Sequence, residues 1–275
     1  MSPTRSLSII SSVEFRAIIR RRWFLVTIAV GAALIVTGAI FAGGRDGIPR
    51  FDALRSWTLA VEVLGGLVVS ACLGASVANR DADGGWFGLQ VATGTTRAVV
   101  TLGRVLGRVL VLVGTFAVWM GLAWLSGLLI GNGSDWPLIV TGFAGMGNML
   151  VVLTVAAVCS VALGPVSSGV MGVLTYIFSL ALVNMSSAAE ADVIGTSWSG
   201  LISSLYFIFP RGIVSPLVAD LQARDVAGLA APQVEVNGNI VFIQPASWAT
   251  VIWTLGWCVL LALAAAGAMR RRALS

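Results

Sequence analysis

The chain has 275 residues, of which 57% are hydrophobic and only 11% are charged. Soluble domains carry about 25% charged residues, so this composition excludes a cytosolic globular enzyme and indicates a membrane protein. The 17 basic residues are all arginine, and the sequence has no lysine or histidine. This excludes histidine-based triads, HExxH zinc sites and the phosphate-binding lysine of a P-loop. We therefore predict no catalytic site, metal site or ATP hydrolysis on this chain.

Six apolar runs are long enough to cross about 30 Å of hydrocarbon as helices. They are residues 23–42, 57–78, 105–130, 137–163, 169–188 and 246–269. A seventh run, residues 198–209, is too short to cross the membrane. It is predicted to be an interfacial or re-entrant helix on the extracellular side. The expected fold is an all-α membrane protein with six transmembrane helices in one domain, residues 1–275.

The arginines predict the orientation of these spans. If the N-terminus is cytoplasmic, twelve arginines fall on the cytoplasmic side: Arg5, Arg16, Arg20, Arg21, Arg22, Arg80, Arg97, Arg104, Arg108, Arg270, Arg271 and Arg272. The other five are Arg45, Arg50, Arg55, Arg211 and Arg224. The positive-inside rule then predicts that both termini are cytoplasmic. It also explains the net charge of +5 without a nucleic-acid partner.

Two longer segments leave the predicted membrane region. Residues 79–104 form a cytoplasmic loop, and residues 190–245 form an extracellular loop. In the second loop, Asn237-Gly238 lies between alternating β-forming residues. This pattern predicts a hairpin with a type I′ turn. The hairpin could cap an exit or contact an outside partner, or it could be a solvated connector.

Residues 1–22 are predicted to form an amphipathic interfacial helix that leads into the first span. Leu7, Ile10 and Ile18 can form one apolar face of this helix. The polar residues assigned to its other face or to the membrane junction are Glu14, Arg16, Arg20, Arg21 and Arg22. A basic anchor on anionic lipid is sufficient to explain this pattern.

Several short patterns resemble ABC-2-type transporter permeases. Glu14-Phe15-Arg16 is followed by Arg20-Arg21-Arg22-Trp23 directly before the first span. After the second span, an acidic and glycine-containing segment precedes a short apolar helix at 86–92 and a turn that ends at Arg97. The chain closes with a span and Arg270-Arg271-Arg272, again as in that family. The sequence differs from the family pattern at Asp83-Gly84-Gly85.

This resemblance implies that residues 79–104 are a coupling segment that docks onto an ATPase subunit. Trp86, Phe87 and Leu89 would enter a groove of that partner as apolar anchors. The polar rim would consist of Arg80, Asp81, Asp83 and Arg97. Alternatively, the aromatic residues simply lie in the membrane interface.

The resemblance also implies a bacterial cytoplasmic-membrane exporter of a hydrophobic or amphipathic substrate. Its partners would be two ABC ATPase subunits, a second permease chain (identical or related) and membrane lipid. ATP and magnesium would bind to the ATPase, and this chain would carry no cofactor. The alternative is a membrane scaffold, sensor or assembly subunit that does not transport.

Polar residues inside the predicted spans are candidates for a substrate path, namely Glu62, Asn148 and Asn184. For Glu62, an ion pair with Arg55 or another outer arginine is favoured over a substrate ligand. The two asparagines are more typical of hydrogen bonds between helices. Arg108 is expected to extend its charge to the membrane surface. Gly121 and residues 142–147 are expected to permit close helix contacts.

Overall fold

A computed structural model describes residues 3–44, 48–79, 95–130, 135–190, 196–214, 235–236, 239–240 and 246–271. Within these ranges the chain forms eight helices. They are α1 (Pro3–Ile19), α2 (Arg22–Gly43), α3 (Ile48–Asn79), α4 (Arg97–Leu129), α5 (Trp136–Cys159), α6 (Pro165–Glu190), α7 (Thr196–Ile208) and α8 (Trp248–Arg271). Two short strands, β1 (Glu235–Val236) and β2 (Asn239–Ile240), precede α8.

Six helices, α2 to α6 and α8, are long and apolar enough to cross a membrane. Each of the six predicted spans is therefore confirmed as a helix, and the all-helical membrane architecture agrees with the sequence. The start of α4 differs, because residues 97–104 were expected to belong to the cytoplasmic loop and are helical instead. With 33 residues, α4 is about 50 Å long at 1.5 Å per residue. It therefore exceeds the thickness of a bilayer core.

The main hydrophobic core lies where α2, α3, α4 and α5 meet around Trp119 of α4. The Trp119 side chain is fully buried, and its indole Nε1 donates a hydrogen bond to the Ile28 carbonyl oxygen at 3.3 Å. Gly65 of α3 lies against the same ring, where a side chain would collide with it. The missing side chain lets α3 approach α4 closely enough to enclose the indole on this side.

Each end of the bundle has its own smaller core. At one end, Ala78, Val100, Val161 and Met269 form a buried cluster, against which Ile10 of α1 packs. We call this the arginine-rich end, because α1 and the first turns of α4 bring their arginines there. At the other end, the last turn of α2 packs on the start of α3 through Ala39, Ala42 and Leu54.

The region between α6 and α8 contains the predicted short helix and part of the predicted hairpin. The helix α7 confirms the run at 198–209 as helical, and it packs against α6. The strands pair antiparallel, with Glu235 opposite Ile240 and Val236 opposite Asn239. The turn residues between the strands lie outside the described residues.

Gly65→Ala should destabilise the fold, because the added methyl would lie 2.6 Å from the Trp119 Cη2 atom. Overpacking of this kind costs about 1–3 kcal/mol, which should appear as a lower melting temperature in detergent. Gly121→Ala is the matched control, since nothing lies within 4 Å of the new methyl. The close helix contact expected at Gly121, for tight packing or dimerisation, is thus not formed within this chain. Equal melting temperatures for the two variants would contradict the packing around Trp119.

Candidate functional site

Two glycines of α4 form the surface on which α1 packs. A side-chain carbon at Gly103 would lie 2.8 Å from the Ile10 Cγ2 atom, and one at Gly107 would lie 2.7 Å from the Ser11 carbonyl oxygen. Gly103 and Gly107 are one helical turn apart, so they present one flat strip along α4. This is the small-xxx-small spacing by which helices in membrane proteins approach closely. It brings the backbone of α1 directly against α4.

Arg108, one residue after that strip, connects α4 with both α1 and α3. Its Nε and Nη2 atoms donate to Glu14 Oε1 at 3.0 and 2.7 Å. The Nη1 atom donates to the Leu73 carbonyl oxygen and, at 3.2 Å, to Ser76 Oγ. The Nη2 atom also reaches the Ser76 carbonyl oxygen at 2.9 Å. One guanidinium therefore joins three helices at the arginine-rich end.

The expectation that Arg108 extends to the membrane surface is wrong, because its side chain is only 1% exposed. A buried guanidinium is stable only when a countercharge and acceptors surround it. Glu14 supplies the charge, and the last turns of α3 supply carbonyl oxygens at the negative end of that helix. Arg104 adds to this junction, since its Nη1 donates to the Val77 carbonyl oxygen at 3.2 Å.

The predicted faces of α1 are only partly correct. Arg16, Arg20 and Arg22 are exposed, as expected, and Arg21 is half-buried at the turn between α1 and α2. Leu7 and Ile10, however, are half-buried and Ile18 is buried, because this face packs on the protein. Glu14 is also buried, in the ion pair with Arg108.

Most of the predicted coupling residues lie outside the described residues: Arg80, Asp81, Asp83, Trp86, Phe87 and Leu89. Arg97 is described and is the first residue of α4. The two helices that flank this segment are nevertheless held together. Arg104 and Arg108 of α4 bind carbonyl oxygens near the C-terminus of α3. The segment thus connects two helices, α3 and α4, that are joined to each other by hydrogen bonds and to α1 by the Glu14–Arg108 ion pair.

Asn148 binds the main chain of residues 209–214, which follow α7 and lie outside regular secondary structure. Its Nδ2 donates to the Ile213 carbonyl oxygen at 3.0 Å, and its Oδ1 accepts from the Ile213 backbone nitrogen at 2.7 Å. The amide therefore satisfies both polar groups of one buried residue, as a neighbouring β-strand would. This geometry agrees with a hydrogen bond between structural elements. Asn184, the second predicted asparagine, is half-buried on α6.

Side chains from two other helices satisfy further carbonyls of the same segment. Ser179 of α6 donates to the Pro210 carbonyl oxygen at 2.8 Å, and Thr254 of α8 donates to the Arg211 carbonyl oxygen at 2.9 Å. The Arg211 guanidinium lies 4.3 Å from the centre of the Tyr206 ring. The sequence did not reveal this set, because serine and threonine are common in membrane helices and the partner residues are distant in the chain.

The opposite end of the bundle is closed by an ion pair that the sequence did not predict. Arg55 of α3 donates from Nε to Asp135 Oδ2 at 2.7 Å and from Nη2 to Asp135 Oδ1 at 3.0 Å. A weaker contact at 3.4 Å joins Arg55 to Asp52. The expected ion pair of Glu62 with Arg55 is not formed. Among the described residues, both Glu62 carboxylate oxygens are buried and have no hydrogen-bond partner.

No family model matches this chain, and no curated protein matches it. In the described chain, the junction of Glu14, Arg108 and the end of α3 connects three helices through one guanidinium.

Removing either partner of the junction should be severely destabilising. Arg108→Leu removes the guanidinium that Glu14 contacts, and Glu14→Leu removes the carboxylate that Arg108 contacts, so each should cost about 3–5 kcal/mol. The double variant should cost less than the sum of the single variants, because the two substitutions remove the same interaction. Thermal unfolding of the four proteins in one detergent measures this difference. Additive losses would contradict a direct Glu14–Arg108 interaction.

Asn148→Leu should lower the melting temperature, since it leaves the Ile213 backbone N–H and carbonyl unpaired inside the protein. A buried unsatisfied polar group costs about 1–3 kcal/mol. Asn184→Leu removes the same side chain from a half-buried position on α6 and is the matched control, with a much smaller expected loss. Equal effects of the two substitutions would show that the Ile213 contacts do not stabilise the fold.

Proposed function

We propose that this chain is the membrane-spanning permease subunit of an ABC transporter. The observation that carries the proposal is the junction at the arginine-rich end, where Arg108 ties α1 to α3 and α4. Those last two helices flank the segment that resembles an ABC-2 coupling loop. A movement of that segment would therefore displace α1, α3 and α4 together.

In this mechanism, closure of two ATPase subunits moves residues 79–104 and α1 together. Arg104 and Arg108 fix the end of α3 to α4. The two helices would therefore move together when the segment between them moves. The shared motion would open or close a path between two permease chains. The second chain is either a copy of this one or a related protein.

The orientation that we propose places the arginine-rich end in the cytoplasm. Its described arginines include Arg16, Arg20 and Arg22, which are exposed on or just after α1. An excess of arginine near the ends of spans is typical of the cytoplasmic side. Both termini would then be cytoplasmic in a bacterial inner membrane, and α7 with residues 209–214 would form a re-entrant element from outside. Non-helical backbone is tolerated at membrane depth where protein groups satisfy it, as Asn148 does for Ile213.

The energy for transport must come from a partner in this proposal. A sequence without lysine cannot form the P-loop that binds the phosphates of ATP, so ATP and magnesium would bind to the ATPase subunits. Export of a hydrophobic or amphipathic substrate follows from the resemblance to the family. The candidates for the path of such a substrate are Glu62 and Asn148, which are buried in the packed chain, and Asn184, which is half-buried on α6.

Co-expression with the genes that flank its own, followed by purification in mild detergent, tests the proposal. We expect a P-loop ATPase to co-purify, and its ATP hydrolysis to change when the complex is placed in lipid bilayers. If no ATPase is bound, the transporter proposal fails. The chain would then be a scaffold, sensor or assembly subunit that does not transport.

Replacing Trp86 and Phe87 together by alanine should abolish most ATPase association, since buried aromatic anchors contribute much of the binding energy at such contacts. Trp248→Ala is the matched control, because Trp248 is 83% exposed at the opposite end of the bundle. Co-purified ATPase per permease is the measurement. Undiminished association of the double variant would remove the docking assignment but leave the transporter proposal standing.

A further inference from the structure

Three buried polar side chains of α3 have no partner among the described residues. They are Thr58, Glu62 and Ser70, which are 0%, 2% and 0% exposed. Several buried hydroxyls in other spans have acceptors in their own helix or in a neighbouring segment. Thr115, for example, donates to the Val111 carbonyl oxygen at 2.9 Å, and Ser179 donates to the Pro210 carbonyl oxygen at 2.8 Å. Among the described residues, the other buried side-chain polar atom without a partner is Trp257 Nε1 of α8, so most of these atoms lie on α3.

Thr58 and Glu62 are four residues apart, so their side chains lie on the same face of α3. An ionised carboxylate that is buried without a partner is far more costly than a neutral one. In the packed conformation, Glu62 is therefore in its neutral, protonated form. Because the side chain is enclosed by this single chain, neither lipid nor a second permease copy can reach it.

No charged group near α3 neutralises Glu62 in the described structure. Arg55 is bound to Asp135, while Arg104 and Arg108 bind the far end of α3. The titratable and charged groups with described side chains on α3, and on or capping the helices packed against it, are Arg21, Arg22, Asp52, Arg55, Cys72, Arg97, Arg104, Arg108, Asp135, Cys159 and Tyr176. None of them is hydrogen-bonded to Glu62.

The donor set also decides which small ligand the site can take. Calcium needs six to eight oxygen ligands and magnesium needs six, whereas the Thr58–Glu62 pair offers three side-chain oxygens. The described residues contain no group of three His, Cys, Asp or Glu side chains that could hold a metal ion. A proton requires no coordination shell and no cavity.

We propose that Glu62 is a proton-binding site within the membrane domain. Each chain holds one proton on the Glu62 carboxyl group while α3 is packed against its neighbours. When that packing opens to water, the carboxyl group gives the proton to a water molecule and becomes a carboxylate. Because ionisation opposes repacking, rising pH favours the opened state. The equilibrium between the two states thus depends on pH, which adds a property that ATP-driven transport does not require.

Infrared spectroscopy of the full chain in lipid nanodiscs tests the proposal directly. At neutral pH we expect a carbonyl-stretch band from a protonated carboxylic acid, and Glu62→Gln should remove one carboxyl equivalent from it. Asp52→Asn is the control on the same helix, since Asp52 faces Arg55 in an ion pair; this variant should keep the band. Absence of the band from the unmodified protein, or its persistence in Glu62→Gln, would overturn the proposal.

Thermal unfolding gives an independent measurement. Relative to Glu62→Gln, the unmodified protein should lose melting temperature as the pH rises above about 4.3, the ordinary pKa of a Glu side chain, because the unfolded chain ionises Glu62 freely and the packed chain does not. Glu62→Gln should show a smaller loss, since its neutral amide reproduces the shape of the protonated acid. Identical pH profiles, or a Glu62→Gln protein that fails to fold, would contradict a neutral Glu62. Neither experiment needs an ATPase, so the site can be tested even if the transporter proposal fails.

Discussion

The arrangement of the arginine-rich end depends on one buried cation. Arg108 can be buried only because Glu14 reaches it from α1 and because carbonyl oxygens near the end of α3 accept its hydrogen bonds. Glu14 can reach it only because Gly103 and Gly107 let α1 lie directly on α4. The glycines, the ion pair and the end of α3 are therefore mutually dependent. Since a buried charge without its partner is strongly destabilising, α1 is held to the bundle as an integral part of it.

The same physical requirement explains the segment that follows α7. A backbone outside helices and sheets leaves polar groups unsatisfied, and lipid would offer them no partner. Here Asn148, Ser179 and Thr254 supply them from three different helices. Polar residues that resemble substrate ligands in the sequence are, at Asn148 at least, engaged by the chain itself. Their hydrogen bonds fix one position for residues 209–214.

Hydropathy was sufficient to predict the six long helices and the short α7, because long apolar runs have few other stable structures. It failed at the start of α4, where Arg97 and Arg104 precede the apolar run and residues 97–104 are nevertheless helical. It also failed for the partners of charged residues. Arg55 and Asp135 are 80 positions apart, and Arg108 and Glu14 are 94 apart. Only the tertiary structure brings such residues together, and the spacing within one helix carries no signal of it. The packing of α1 on Gly103 and Gly107 was not predicted either, because nothing in the sequence shows which helix approaches them.

These contacts give α3 an uneven distribution of polar interactions along its length. Near its start it is fixed by Arg55 and Asp135, and near its end by Arg104 and Arg108. Between them lie Thr58, Glu62 and Ser70, whose polar atoms lack partners in the described chain. The ends oppose movement because each would have to break a charge-assisted contact. The middle gains hydrogen bonds if water or another donor reaches it. If α3 moved as a rigid helix after a displacement at the arginine-rich end, the main change in polar contacts would be at Glu62, where water could reach the buried carboxyl group.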